Sequence, residues 1–237
     1  MYQFPDEILA RYGLSEDAAM EAARYAISLT LTNHFGVPVM ASTANGFHMI
    51  AFHGTHESVI TSDQIKRNLR REIQENVEYE LQRRQAAKDQ RYLRQLTGKP
   101  ICGGVVGICE QGTLIIKMEL TEVFSQVILL GECPMKYQIP RERASYSVGD
   151  LLSFKVTSVA AVATDKSARA RIILSRVSPE LPALLLREQS GIDKIKCVRR
   201  LPGKESWIKT AVKIPKPIIN AVGKELREHL NVRIIQQ

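Results

Sequence analysis

A chain of 237 residues with 44% hydrophobic and 24% charged side chains has the length for two or three compact units and an ordinary globular composition, which excludes fibrous and disordered classes. No run approaches the ~18 apolar residues of a membrane-spanning helix, and residues 1–7 carry early acids rather than a basic and apolar leader, so neither a membrane nor export is expected. Cys102, Cys109, Cys133 and Cys197 form no C-x-x-C pair and read as reduced cytoplasmic thiols.

The formal charge of +8 is uneven: residues 1–62 carry a net −4, 63–97 a net +3, 98–176 a net +3 and 177–237 a net +6. An acidic head on a basic body points to a protein partner for the head and a polyanion for the body; simple solubility is the alternative. The head opens with a helix predicted over residues 6–33, apolar at Ala10, Leu14, Ala18, Ala22, Ala26 and Leu29. Gly13 is expected to break it, and Ser15 with Glu16 and Asp17 supplies an N-cap and an acidic first turn. Gly36-Val37-Pro38 stops it. The runs 37–42 and 47–53 flank Asn45-Gly46, a strong hairpin signal. His48, His53 and His56 match no familiar ligand spacing and read as surface or hairpin histidines.

A long helix follows over roughly 63–95, capped by Thr61 or Ser62. Ile65, Leu69, Ile73, Val77 and Leu81 make a narrow apolar stripe among Arg67, Arg70, Arg71, Arg83, Arg84, Lys88, Arg91 and Arg94. Two readings fit: a helix packed on the hairpin with a solvated face, and a basic strut near a nucleic acid.

Gly98-Lys99-Pro100 ends that helix. Five strands are expected after it, over 101–109, 113–118, 126–130, 151–159 and 168–175. Gly103, Gly104 and Gly107 suit a strongly bent first strand. Gln111-Gly112 is a turn, and Gly149-Asp150 starts the fourth strand. Five short strands with an irregular stretch before the fourth fit an oligonucleotide-binding barrel. Pro179 beside Glu180 suits a helix N-terminus, so the last strand runs directly into the next unit. That unit reads α-β-β-α-β, with helices over 181–188 and 218–230 and strands over 194–200, 207–214 and 232–235. The expected fold class is α+β multidomain: a helical and hairpin head over 1–97, a barrel over 98–176 and a small α/β domain over 177–237.

No catalytic constellation occurs: G-x-S-x-G, H-E-x-x-H and kinase-like sets are absent, and Gly203-Lys204-Glu205-Ser206 lacks the spacing of a phosphate loop. No enzyme, cofactor or metal site is expected. Single-stranded RNA asks for cations against its phosphates and flat side chains against its bases. On the barrel the candidates are Lys117, Phe124, Lys136, Tyr137, Arg141 and Arg143, with Phe124 and Tyr137 either stacking platforms or core. In the last unit Lys196, Arg199, Arg200, Lys204, Lys209, Lys213 and Lys216 cluster along the strand pair and its exit, as an RNA-facing patch or a soluble face. Trp207, the only tryptophan, reads as a core anchor rather than a base stacker.

Ile139-Pro140-Arg141-Glu142 followed by Val148-Gly149-Asp150 resembles the end of the S1 domain in the NusA family of transcription elongation, termination and antitermination factors. Ser175-Arg176-x-x-Pro179-Glu180, Arg200-x-Pro202-Gly203 and Ile208-x-x-Ala211-Val212 are similar to that family's entry into its first K-homology (KH) domain. The order of head, S1 barrel and KH domain is the family's order. The likeness covers about 98–237, and 1–97 by architecture alone. The G-x-x-G loop that clamps RNA in KH domains has no counterpart here: residues 211–217 run straight into the helix at Ile218, and Gly223-Lys224-Glu225-Leu226 is not that loop. One helix and the clamp are missing, so a degenerate KH is expected. The resemblance implies a head docking on RNA polymerase near the RNA exit channel, S1 and KH modules guiding nascent single-stranded RNA, and other elongation factors as further partners. A free RNA-binding protein acting on messenger RNA or ribosomes, or a scaffold whose KH has lost RNA, are the alternatives.

Overall fold

A computed structural model describes residues 11–42, 48–121, 126–165 and 167–235. The chain is α+β, with four α-helices, two three-stranded sheets and a closed five-stranded barrel among the described residues. It divides into two compact units, residues 1–92 with 161–170, and 93–160 with 171–237. The barrel other than residues 161–170 falls in one unit with the C-terminal domain, which the sequence reads as a separate one.

In the first unit, Ser15 caps helix α1 (Glu16–Phe35), its Oγ accepting from the Ala18 N–H at 3.4 Å. Gly13 takes the left-handed conformation just ahead of it, and Gly36 does so at its end. The alanine-rich face of α1 (Ala19, Ala22, Ala23, Ala26) is buried. Strands β1 (Val39–Ser42), β2 (His48–His53) and β3 (His56–Ile60) form an antiparallel sheet. Ser42 pairs with His48, which brackets the expected Asn45-Gly46 turn; the turn itself lies outside the described residues. The third strand was not expected, because four of its five residues are exposed and leave no alternation to read. His53 and His56 pair across the β2–β3 turn, both exposed.

Helix α2 (Arg67–Leu93) starts later than the sequence suggested. Ser62–Gln64 instead make a 3-10 turn, closed by the Thr61 N–H donating to Gln64 Oε1 at 2.9 Å, and Ile65 is extended. The apolar stripe serves two cores. Ile65, Leu69 and Ile73 pack with Leu31 and the sheet residues Val39, Ala41, Met49 and Ala51. Val77 and Leu81 pack with Tyr12, Ala19, Ala22 and Ala23. Several of the surrounding cations are paired, Arg71 with Glu75, Arg83 with Glu80, and Arg84 with Glu80 and Glu21. Arg84 holds the Glu21 carboxyl below the usual carboxylate range by a hydrogen bond and its charge.

The strands β4 (Pro100–Ile108), β5 (Leu114–Thr121), β6 (Gln126–Cys133), β7 (Leu151–Ala163) and β8 (Ala168–Ser175) form the barrel, which lies in the second unit apart from residues 161–170. The strand order is β4-β5-β6-β8-β7, closed by antiparallel pairing of β4 with β7, and β6 runs parallel to β8. Val105, Leu114, Ile116, Met118, Phe154, Val156, Ile172 and Leu174 are buried. In β4 the register slips between Val105 and Gly107, and a Cβ on Gly103 would stand 2.4 Å from Ile116 Cγ2, so the glycine lets the two strands pack closely.

Helix α3 (Leu181–Ser190), β9 (Ile195–Leu201), β10 (Glu205–Thr210), helix α4 (Lys216–Leu226) and β11 (His229–Ile234) follow, in the expected α-β-β-α-β order. The sheet order is β11-β10-β9, antiparallel between β9 and β10 and parallel between β10 and β11. Leu181, Leu185, Leu186, Ile195, Ile208, Val222, Leu226 and Leu230 form the core between helices and sheet. Helix α4 stops at Leu226 rather than 230 because Arg227 turns left-handed, with φ 54°.

Barrel and C-terminal domain are joined through Arg176, which has no exposed surface. Its Nε donates to Glu142 Oε2 at 2.9 Å, Nη1 to the Ser153 carbonyl and to Glu225 Oε1, and Nη2 to the Glu225 carbonyl at 2.8 Å. The Tyr146 hydroxyl also donates to Glu142 Oε2, and the Ser153 N–H donates to Glu225 Oε1 at 2.7 Å. Lys155 pairs with Glu180 beside the same junction. Burial alone would lower the Arg176 pKa, but the charges and hydrogen bonds of Glu142 and Glu225 leave it raised.

Candidate nucleic-acid interface

Strand side chains alternate between faces. The inward face of the C-terminal sheet (Ile195, Ile208, Leu230, with Cys197 and Val232) packs on α3 and α4. The other face is open. Its register puts residues in rows across the three strands. One row is Lys196, Lys209 and Arg233; the next is Arg199, Trp207 and Asn231; the third is Leu201, Glu205 and His229. Between Trp207 and Ile208 the register slips, which leaves Val198 as the extra residue of a bulge in β9. Arg199 thereby comes over Trp207, its guanidinium carbon 5.0 Å from the ring centroid. Val198, Arg199, Trp207, Lys209, Asn231 and Arg233 line a shallow depression of about 340 Å³.

Lys196, Arg199, Lys209 and Arg233 are exposed. Among the described residues no carboxylate pairs with any of them. An open sheet face with one flat ring among unneutralised cations can hold a polyanion that also carries aromatic groups.

The other expected residues lie apart from this face. Lys204 is exposed at the β9–β10 turn, and Lys213 and Lys216 are exposed between β10 and the first turn of α4. Lys136 and Tyr137 sit in a 3-10 turn after β6, the ammonium 4.9 Å from the ring centroid. Arg141 and Arg143 are exposed beyond it, and Arg143 Nη2 donates to the Met135 carbonyl at 2.9 Å. Lys117 is half-buried on β5, opposite Leu130. Val106 on β4 and Ile128 and Leu130 on β6 are exposed aliphatic residues. Phe124 lies outside the described residues.

Arg200 is a correction. Its side chain is 1% exposed and its Nε and Nη2 donate to the buried Glu228 carboxylate, the shortest contact 2.7 Å. Glu228 also accepts from the Gly203 N–H and the Ser206 hydroxyl. Arg200 therefore holds the β9–β10 turn and is not presented to phosphate. Arg233 was not singled out in the sequence, and Trp207, expected as a core anchor, is half-buried on the open face. Trp207 is two residues from Lys209, so strand parity alone puts the two on one face.

No protein-family model matches this chain, and no curated protein matches its sequence.

Proposed function

We propose that the chain is a NusA-like transcription factor that binds RNA polymerase and nascent single-stranded RNA and modulates elongation, pausing, termination or antitermination. In this reading the closed barrel is an S1-type oligonucleotide-binding domain and the C-terminal domain a KH-like fold without its clamp. The observation that carries the reading is the barrel's strand order, continued directly into a mixed α-β-β-α-β domain that keeps an unneutralised cationic face. That order supports an oligonucleotide-binding barrel. In this reading the lack, among the described residues, of a second helix and G-x-x-G loop between β10 and α4 shifts RNA contact from the KH groove to open surfaces. Tethering to polymerase would let a weak RNA contact act at high effective concentration.

The test is co-sedimentation of the full chain with core RNA polymerase, followed by pause and termination assays. Binding with altered pausing is the expected result. RNA binding without polymerase binding would favour the free RNA-binding protein, and neither would leave the scaffold.

A further inference from the structure

Resting on the RNA-binding reading above, we infer that the open face of the C-terminal sheet is a base-stacking site, with Trp207 as the platform, Arg199 as its cover and the Lys196–Lys209–Arg233 row as the phosphate track. The geometry is that of the three rows. A base laid on Trp207 has Arg199 on one strand and Asn231 on the other. Asn231 carries both a donor and an acceptor amide group for a base edge. The cation row lies two residues along β10 and β11, and three along the bulged β9, about 7 Å away, so the phosphate of the stacked nucleotide falls beside Lys209. The only acid in the three rows, Glu205, is in the opposite row, which orients the sugar-phosphate backbone towards Lys209 and away from Glu205.

Arg199 sits at stacking distance from the ring, with no room for a base between them. It is exposed, and apart from its cation–π contact it has no side-chain partner among the described residues. Insertion of a base moves the guanidinium outward by one stacking layer, from the indole to the base. Arginine planes stack on bases as they do on aromatic rings. The occupant is single-stranded RNA rather than an acidic peptide, because an acidic peptide would use the cation row and leave the indole without a flat partner.

The experiment uses the full chain and a single-stranded oligoadenylate of about ten nucleotides. Trp207 is the only tryptophan, so its emission reports the site directly, while the anisotropy of end-labelled RNA reports binding anywhere. Quenching of Trp207 in step with anisotropy is expected. Trp207→Leu should weaken binding about tenfold and Trp207→Phe much less. The phenylalanine variant and the unmodified chain keep the test valid if the leucine variant fails to fold. RNA binding with unchanged Trp207 emission, and equal affinity for Trp207→Leu, would overturn the site and leave the RNA-binding reading standing. Equal quenching by polyphosphate would also overturn it, since no base is present. No RNA binding at all would remove both the site and the reading it rests on.

Discussion

Arg176 is a cation without exposed surface that donates to two carboxylates and two carbonyls. Removing one partner of such a buried pair strands the other charge, and Arg176→Ala should cost about 3–5 kcal/mol, read as a lower midpoint in denaturant. Tyr146 belongs to the same cluster. Burial, then the neighbouring charge of Glu142, raises its pKa above the usual 10.0. Its contribution is complete below the unfolded value and is lost as pH rises from there through the folded one. Stability should therefore fall above about pH 10, and less so in Tyr146→Phe. Among the cysteines, burial pushes the buried Cys133 thiol up to about 12, whereas Cys109 is exposed. A thiol reagent at mildly alkaline pH should modify Cys109 in the native chain and Cys133 only on unfolding. At this scale the sequence was half legible. Arg199 and Arg200 were grouped as one patch, yet neighbours in a strand face opposite ways. Parity could have separated them; that Arg200 is the inward one depends on Glu228, 28 residues away.

The turn joining β9 to β10 shows how an element depends on one small residue. Gly203 has φ 72°, and a Cβ there would stand 2.7 Å from Ile139 Cγ2. Gly203→Ala should cost about 1–3 kcal/mol from left-handed backbone strain and crowding, checked by thermal unfolding. The sheet makes a separate prediction. With three cations along the phosphate track of a single strand, the logarithm of RNA affinity should fall with that of salt at a slope of about −2, and each of Lys209→Gln and Arg233→Gln should flatten it by about 0.7. Elements with a strong period were readable: the Ser15 cap and Gly36 stop of α1, the stripe of α2 and the α-β-β-α-β order. Strand β3 was not, since exposure erased its alternation. The start of α2 was misplaced because Thr61 and Gln64 close a capping box on a 3-10 turn rather than on the long helix.

At the scale of the whole molecule, the barrel, apart from residues 161–170, shares one compact unit and a buried ionic junction with the C-terminal domain. They should open together: amides of β5 and β10 should exchange at similar rates in the native chain, and Arg176→Ala should speed both. The boundary at 176/177 was drawn where strand gives way to helix, and nothing local in the sequence marks Glu142, Arg176 and Glu225 as one cluster. Their separation along the chain hides it, and only the closed barrel and the packed α4 bring them together. Among the described residues no helix is long and apolar enough to cross a membrane.

The same cluster constrains how this chain can diverge. Glu142 follows the third barrel strand, Arg176 closes the fifth, and Glu225 lies in the last helix. Exchange of any one leaves the others uncompensated, whereas joint replacement by apolar residues of similar volume need cost little. Drift at these three positions should therefore be concerted, and recombination that separates the barrel from the last helix would have to carry matching partners on both pieces.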